Sequence, residues 1–158
     1  MKRILQASLT AMLLATVLSA GAPSTFAAQC SLHKGAGTYG FTLNGVVILP
    51  TGPVPIAAVG KAVLDSSGSA SGTESRSVGG DFADETFTGT FSVNPDCTGS
   101  ATLNFYEAGQ LVRTSVLSLV FDDRQHEIRM VQKSLQLPTG DFLPVVITVE
   151  ARNIDNED

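Results

Sequence analysis

Few side chains in this sequence are of a type and spacing that could do chemistry, and each has a plain alternative role. His126 opens a stretch in which Ile128 and Met130 fall on one face, so its imidazole could point into the mouth of a closed sheet as a general base. It also follows Asp122-Asp123, and a rim histidine beside a carboxylate would look the same. Glu107 shares the alternation of Leu103 and Phe105 next to Ala108-Gly109, where it is either an acid or base at a cavity mouth or a solvated carboxylate at a strand end. Gln132 and Ser134 continue the face of Met130 and could orient a ligand, or be satisfied by one another or by water. Asp84-Glu85 and Asp122-Asp123 are neighbours in sequence, whereas a glycosidase pair must face itself across a cleft. Serines 66, 67, 69, 71, 75 and 77 lack a G-x-S-x-G context. There is no P-loop, dinucleotide fingerprint, zinc spacing or calcium loop, so no cofactor or metal is expected.

The compartment is set by the first residues. Lys2 and Arg3 precede an apolar run from 4 to 20, and small residues follow at 23–28, the order of a secretory signal peptide. Thr25 and Ala27 place the cut after residue 27; the apolar run is shorter than the ~20 residues a spanning helix needs. Residues 28–158 then form one domain with a frayed acidic tail at 153–158, in the periplasm or outside the cell. The formal charge of −5 becomes more negative once Lys2 and Arg3 are lost. With the remaining basic residues scattered, the acidic balance argues against nucleic acid or anionic membrane as a partner, and no apolar run after residue 27 is long enough to span a membrane. Cys30 and Cys97 are expected to pair in an exported chain, closing a loop of about 67 residues worth roughly 4 kcal/mol of chain entropy. A thiol or metal pair is the alternative, with only His33 and His126 as imidazoles beside it.

Strand patterns position these residues. Residues 38–43 alternate with Tyr39, Phe41 and Leu43 on one face, and 46–49 continue them past a bend at Gly45. Three prolines in 50–55 predict a stiff loop outside any ladder. Strands are expected at 56–65 and 70–78. The second of these is polar on both faces, as an edge or a ligand-facing wall would be. Phe87, Gly89, Phe91 and Val93 then oppose Thr86, Thr88, Thr90 and Ser92. Asn94-Pro95-Asp96-Cys97-Thr98-Gly99 reads as a tight turn in which Gly99 takes positive φ. Strands follow at 101–106, 111–121, 126–135 and 145–149. About eight strands with hairpin connections and no helical period predict an all-β, eight-stranded antiparallel up-and-down barrel, with a two-sheet β-sandwich as the alternative.

Two resemblances accompany this reading. Cys30, Gly37-Thr38-Tyr39-Gly40-Phe41, Pro55-Ile56-Ala57-Ala58-Val59-Gly60 and Asn94-Pro95-Asp96-Cys97-Thr98-Gly99 resemble, in that order, a group of short exported bacterial proteins of unknown function. That group implies no catalytic residues. The meander is similar in architecture to calycin-type barrels, which include lipocalins and allene oxide cyclase-like barrels, although a chain without tryptophan cannot carry the lipocalin Gly-x-Trp signature.

In such a barrel the inward aromatics Tyr39, Phe41, Phe87, Phe91 and Phe105, with Met130 and Gln132, are both core and cavity wall. Small residues such as Ala58, Gly60, Ala62 and Gly89 then decide how much room is left. The leading expectation is a module that binds a small apolar molecule. A cofactor-free isomerase or cyclase using the same cavity through His126 or Glu107 is the alternative from another class. A structural or partner-binding protein pairing through the edge of the polar third strand is the other.

Overall fold

The glycine and proline punctuation resolves into long antiparallel strands in a computed structural model, which describes residues 29–155. The expected leader at 1–27 and the last residues, 156–158, lie outside the described residues. The strands are β1 (Gly37–Leu49), β2 (Gly52–Leu64), β3 (Ser69–Val78), β4 (Asp81–Val93), β5 (Thr98–Glu107), β6 (Gln110–Asp122), β7 (Glu127–Gln136), β8 (Phe142–Leu143) and β9 (Val145–Asn153). Sequence neighbours pair as hairpins from β1 to β7, and β9 lies between β7 and β1. Eight strands thus close a ring, and the two-residue β8 pairs only with β7. The barrel, not the sandwich, is the fold.

Alternation sets the inside. On β4 Phe87 and Phe91 are buried while Thr86, Thr88 and Thr90 are exposed. The same rule places Tyr39, Phe41, Leu43, Phe105, Leu117, Leu119, Ile128, Ile147 and Val149 in one core. Glycines admit the largest rings. A Cβ at Gly60 would collide with the Phe41 ring and one at Gly72 with the Phe87 ring. These two glycines therefore make room for neighbouring aromatics, while Ala62 lines the interior space. Phe41, Phe87 and Phe105 follow one another across the interior, with ring centroids 6.1 and 5.3 Å apart.

Four local expectations are corrected. Pro53 and Pro55 are not loop residues but lie in β2, opposite Ile48 and Val46. β3 pairs with β2 only from Ile56 onward, so both prolines sit on a free edge where a missing N–H costs no ladder bond. The polar third strand is not an edge, because β3 is paired along its length with β2 and β4. Its polarity has another cause, a glutamate that faces inward. In the 94–99 turn the positive φ falls on Cys97 (67°), not on Gly99, which is extended opposite Val93. A bulge at Lys133 shifts the β7 register after Gln132, so Leu135, and not Ser134, is the next buried residue.

The two ends of the barrel differ. One carries the Cys30–Cys97 disulfide, with Cα atoms 5.0 Å apart, and the one-turn helix α1 (Leu32–Gly35). Gln125, in a short 3-10 turn (Asp123–Gln125), accepts from Ser31 N at 3.1 Å and donates to Ser31 O at 3.0 Å. The Tyr39 hydroxyl, fully buried, lies 2.8 Å from the Gln125 carbonyl and 3.1 Å from that of Gly35. The N-terminal segment is thereby held as a plug over this end. The mouth at the other end is framed by the β1–β2, β3–β4 and β5–β6 turns and the loop at 137–141.

Candidate functional site

Between the plug and the mouth lies an internal space of about 80 Å³. Its wall is almost wholly apolar, with Phe41, Phe87, Phe91, Leu117, Leu119 and Ile147 among the lining residues. One water needs roughly 10–15 Å³ and pockets for drug-sized ligands measure roughly 300–1,000 Å³. The space therefore suits a small or slender guest. Along β6 the lining runs from Arg113 to Leu119, so the space follows much of that strand's length.

Among the described residues, four polar side chains reach this wall: Glu74, Arg113, Ser115 and Gln132. Gln132 donates to Ser115 Oγ at 3.0 Å and to the Ser134 carbonyl at 3.1 Å. Glu74 and Arg113 belong to a larger cluster. Glu74 on β3 stands opposite Glu85 on β4 in the ladder, and the two are 4% and 2% exposed. Both accept from the same Arg113 guanidinium, Glu74 at 2.5 Å through Nη2 and Glu85 through Nη1. Arg76 Nε donates to the other Glu85 oxygen at 2.5 Å, and its Nη2 lies 3.5 Å from Glu107. The Arg113 guanidinium also covers the Phe105 ring, 3.9 Å from its centroid. Among the described residues, no fully buried side-chain nitrogen or oxygen lacks a hydrogen-bond partner. The cluster satisfies itself, and the cavity presents little free polarity.

Electrostatics divides the two glutamates. Burial pushes the Glu74 carboxyl above the usual carboxylate range, against the pull of Arg113, and the neighbouring Glu85 adds to the rise. Burial opposes ionisation of Glu85 as well, but the charges and hydrogen bonds of Arg113 and Arg76 together outweigh it and hold Glu85 below that range. One carboxyl is therefore kept ionised beside another that tends to keep its proton.

The residues expected from sequence are distributed unequally. Phe41, Phe87, Phe91, Phe105, Met130 and Gln132 meet around the cavity. Tyr39 does not line it and belongs to the plug. His126 is exposed at the plugged end, where its carbonyl accepts from Asn153 N at 2.8 Å. Glu107 is at the mouth, its side chain 48% exposed, beside Arg76. The two candidate acid-base residues thus stand at opposite ends of the barrel. Asn153 is the last residue of β9, and Asp155 bonds back to Thr38 N at 2.5 Å.

Sequence reasoning misses Glu74, Glu85 and Arg113 as inward residues, though their parity carries the signal. Glu85 shares the face of Phe87 and Phe91, Glu74 that of Ala70, and Arg113 that of Leu117, Leu119 and Phe121. Among the described residues no group of three or more histidines, cysteines or carboxylates could hold a metal. No protein-family model matches the chain and no curated protein matches it, so the reading of the site rests on its own geometry.

Proposed function

We propose that the protein is an exported, disulfide-stapled barrel that binds a small, slender and mainly apolar molecule in its interior. The observation that carries this reading is the apolar internal space of about 80 Å³ whose few polar groups are already satisfied by one another. A guest there gains from removing apolar surface from water and needs no hydrogen-bonding head. Export is supported by the leader-like start of the sequence and by the disulfide, which fits an oxidising compartment. The test is a thermal-shift and calorimetric series on the oxidised chain from Ala28, using short straight-chain alkanes, benzene and a fused-ring dye. Concentration-dependent stabilisation by the slender probes and none by the dye is expected, because a ligand that binds only the folded state raises its melting temperature. A flat response to every probe removes the reading.

One observation favours a second reading, the cofactor-free isomerase or cyclase. Glu74 lies in an apolar wall with its carboxyl biased toward the protonated form, the condition of a general acid. Its place in the cavity makes it a better proton donor there than His126 or Glu107, and Glu74→Gln should abolish any turnover found while leaving probe binding intact.

A further inference from the structure

The exposures of the buried ion cluster form a gradient. The side chains of Glu74 and Glu85 are 1% and 0% exposed, Arg113 10%, Arg76 18% and Glu107 48%. The chain of ion pairs therefore leads from the cavity wall to the solvent at the mouth. Its members come from β3, β4, β5 and β6, whereas the other side of the mouth is packed by Val47, Ile56 and Leu135. On the ionic side the ladder itself is interrupted. A bulge at Val112 breaks the β5–β6 register beside Arg113, and the hairpin tip beyond it turns through Ala108 at φ 48°, a left-handed value that a non-glycine residue adopts at a cost. The tip is tied to β4 by the ladder at Phe105 and Tyr106 and by the Phe105–Phe87 ring contact, and beyond Tyr106 the inward ties to β3 and β4 are ionic, through Glu107 and Arg113.

We propose that the Glu74–Arg113–Glu85–Arg76–Glu107 cluster is a latch on the way into the cavity, and that acid releases it by letting the β5–β6 hairpin tip swing away from β3 and β4. The proposal rests on the ligand-binding reading above, and names the route and the regulation of that site. Glu85 is the keystone, since both guanidiniums bond to it. The charged groups that face it are Glu74 and Arg76 from β3, Glu107 from β5 and Arg113 from β6; Asp84 on its own strand points outward to Ser75 at 2.6 Å. Ser115 and Gln132 complete the wall and do not titrate in this range. At neutral pH Glu85 is ionised and holds both arginines. As pH falls, Glu74 takes its proton first, and protonation of Glu85 below the ordinary glutamate value of 4.5 then leaves two guanidiniums without a counter-charge. They regain hydration only by moving toward the mouth.

Hydrogen exchange of the unliganded, oxidised protein tests this without any ligand. Between about pH 7 and about pH 3, after correction for intrinsic rates, protection at 105–113 should fall by about tenfold or more, while 37–43 near the plug stay protected. Unchanged protection at the tip, or its loss only together with the whole barrel, would overturn the latch. In Glu85→Gln the tip should already be open at pH 7 and show no further acid response. Should that variant not fold, Thr86→Cys/Tyr106→Cys provides the second test, because these residues face each other across β4 and β5. Its cross-linked form should lose the acid-induced exchange that the same variant shows with its new thiols alkylated, and equal exchange in the two forms contradicts the proposal. Acid opening of the tip with no probe bound at any pH removes the ligand reading and leaves the latch. Probe binding whose rate ignores pH, with a quiet tip, does the reverse.

Discussion

At the end that carries Cys30 and Cys97, closure is covalent and neutral: a disulfide, the paired amide of Gln125 on Ser31 and the Tyr39 hydroxyl on two carbonyls. At the mouth, closure on the β3–β6 side depends on two guanidiniums and three carboxylates. The disulfide, amide and hydroxyl that hold the plug are uncharged in an ordinary pH range, while the latch is built from carboxyls and guanidiniums. The contrast shows how one strand pattern yields a fixed end and an adjustable one. Main-chain and amide hydrogen bonds tolerate pH, and a buried ion pair is held only while its partners remain ionised.

Removing the disulfide should have the largest effect. Cys97→Ser frees a loop of 67 residues and should lower stability by about 4 kcal/mol on chain-entropy grounds, visible as a large drop in melting temperature that vanishes when both proteins are reduced. Probe binding below the melting temperature should persist, since the cavity wall is untouched. Next comes Glu85→Gln at the other end. It leaves two buried arginines with a neutral partner and should cost about 3 kcal/mol by denaturant titration at neutral pH. Tyr39→Phe removes one buried hydroxyl from the plug, for about 1 kcal/mol independent of pH.

Glu74→Gln sharpens the contrast because its effect should be absent in acid and stabilising as pH rises. Glu74 has a raised folded pKa, so its contribution is present at low pH and lost as pH rises through that value; the amide should match the wild type in acid and exceed it in alkali. Glu85, with a lowered pKa, contributes above the unfolded value and loses that contribution as pH falls through the folded one, so the two variants should give opposite pH profiles. The smallest effect belongs to Glu107→Gln, at the half-exposed rim, about 0.5 kcal/mol or less and erased by salt.

Much of the ring was legible in sequence. The Phe87/Phe91 alternation and the turns act over short spans, and the cysteine pairing, though it spans 67 residues, was legible because the chain has only two cysteines. What escaped depended on neighbours far along the chain. Pro53 reads as a breaker until β3 is seen to stop short of it, leaving an edge. The serine-rich β3 reads as an edge until Glu74 is seen to turn inward to Arg113, 39 residues away. Charged residues on an apolar face look like exceptions one strand at a time. Three such exceptions on three strands at one height make a cluster, and only the register reveals it.

Whether the interior accepts an apolar guest is decided most directly by a benzene or xenon titration of the oxidised protein followed through its methyl resonances. Saturable shifts confined to methyls that line the cavity, Leu117, Leu119, Ile147 and Val149 among them, are the predicted result. Shifts that never saturate, or that appear only at outward-facing Val59, Val131 and Val146, would contradict it.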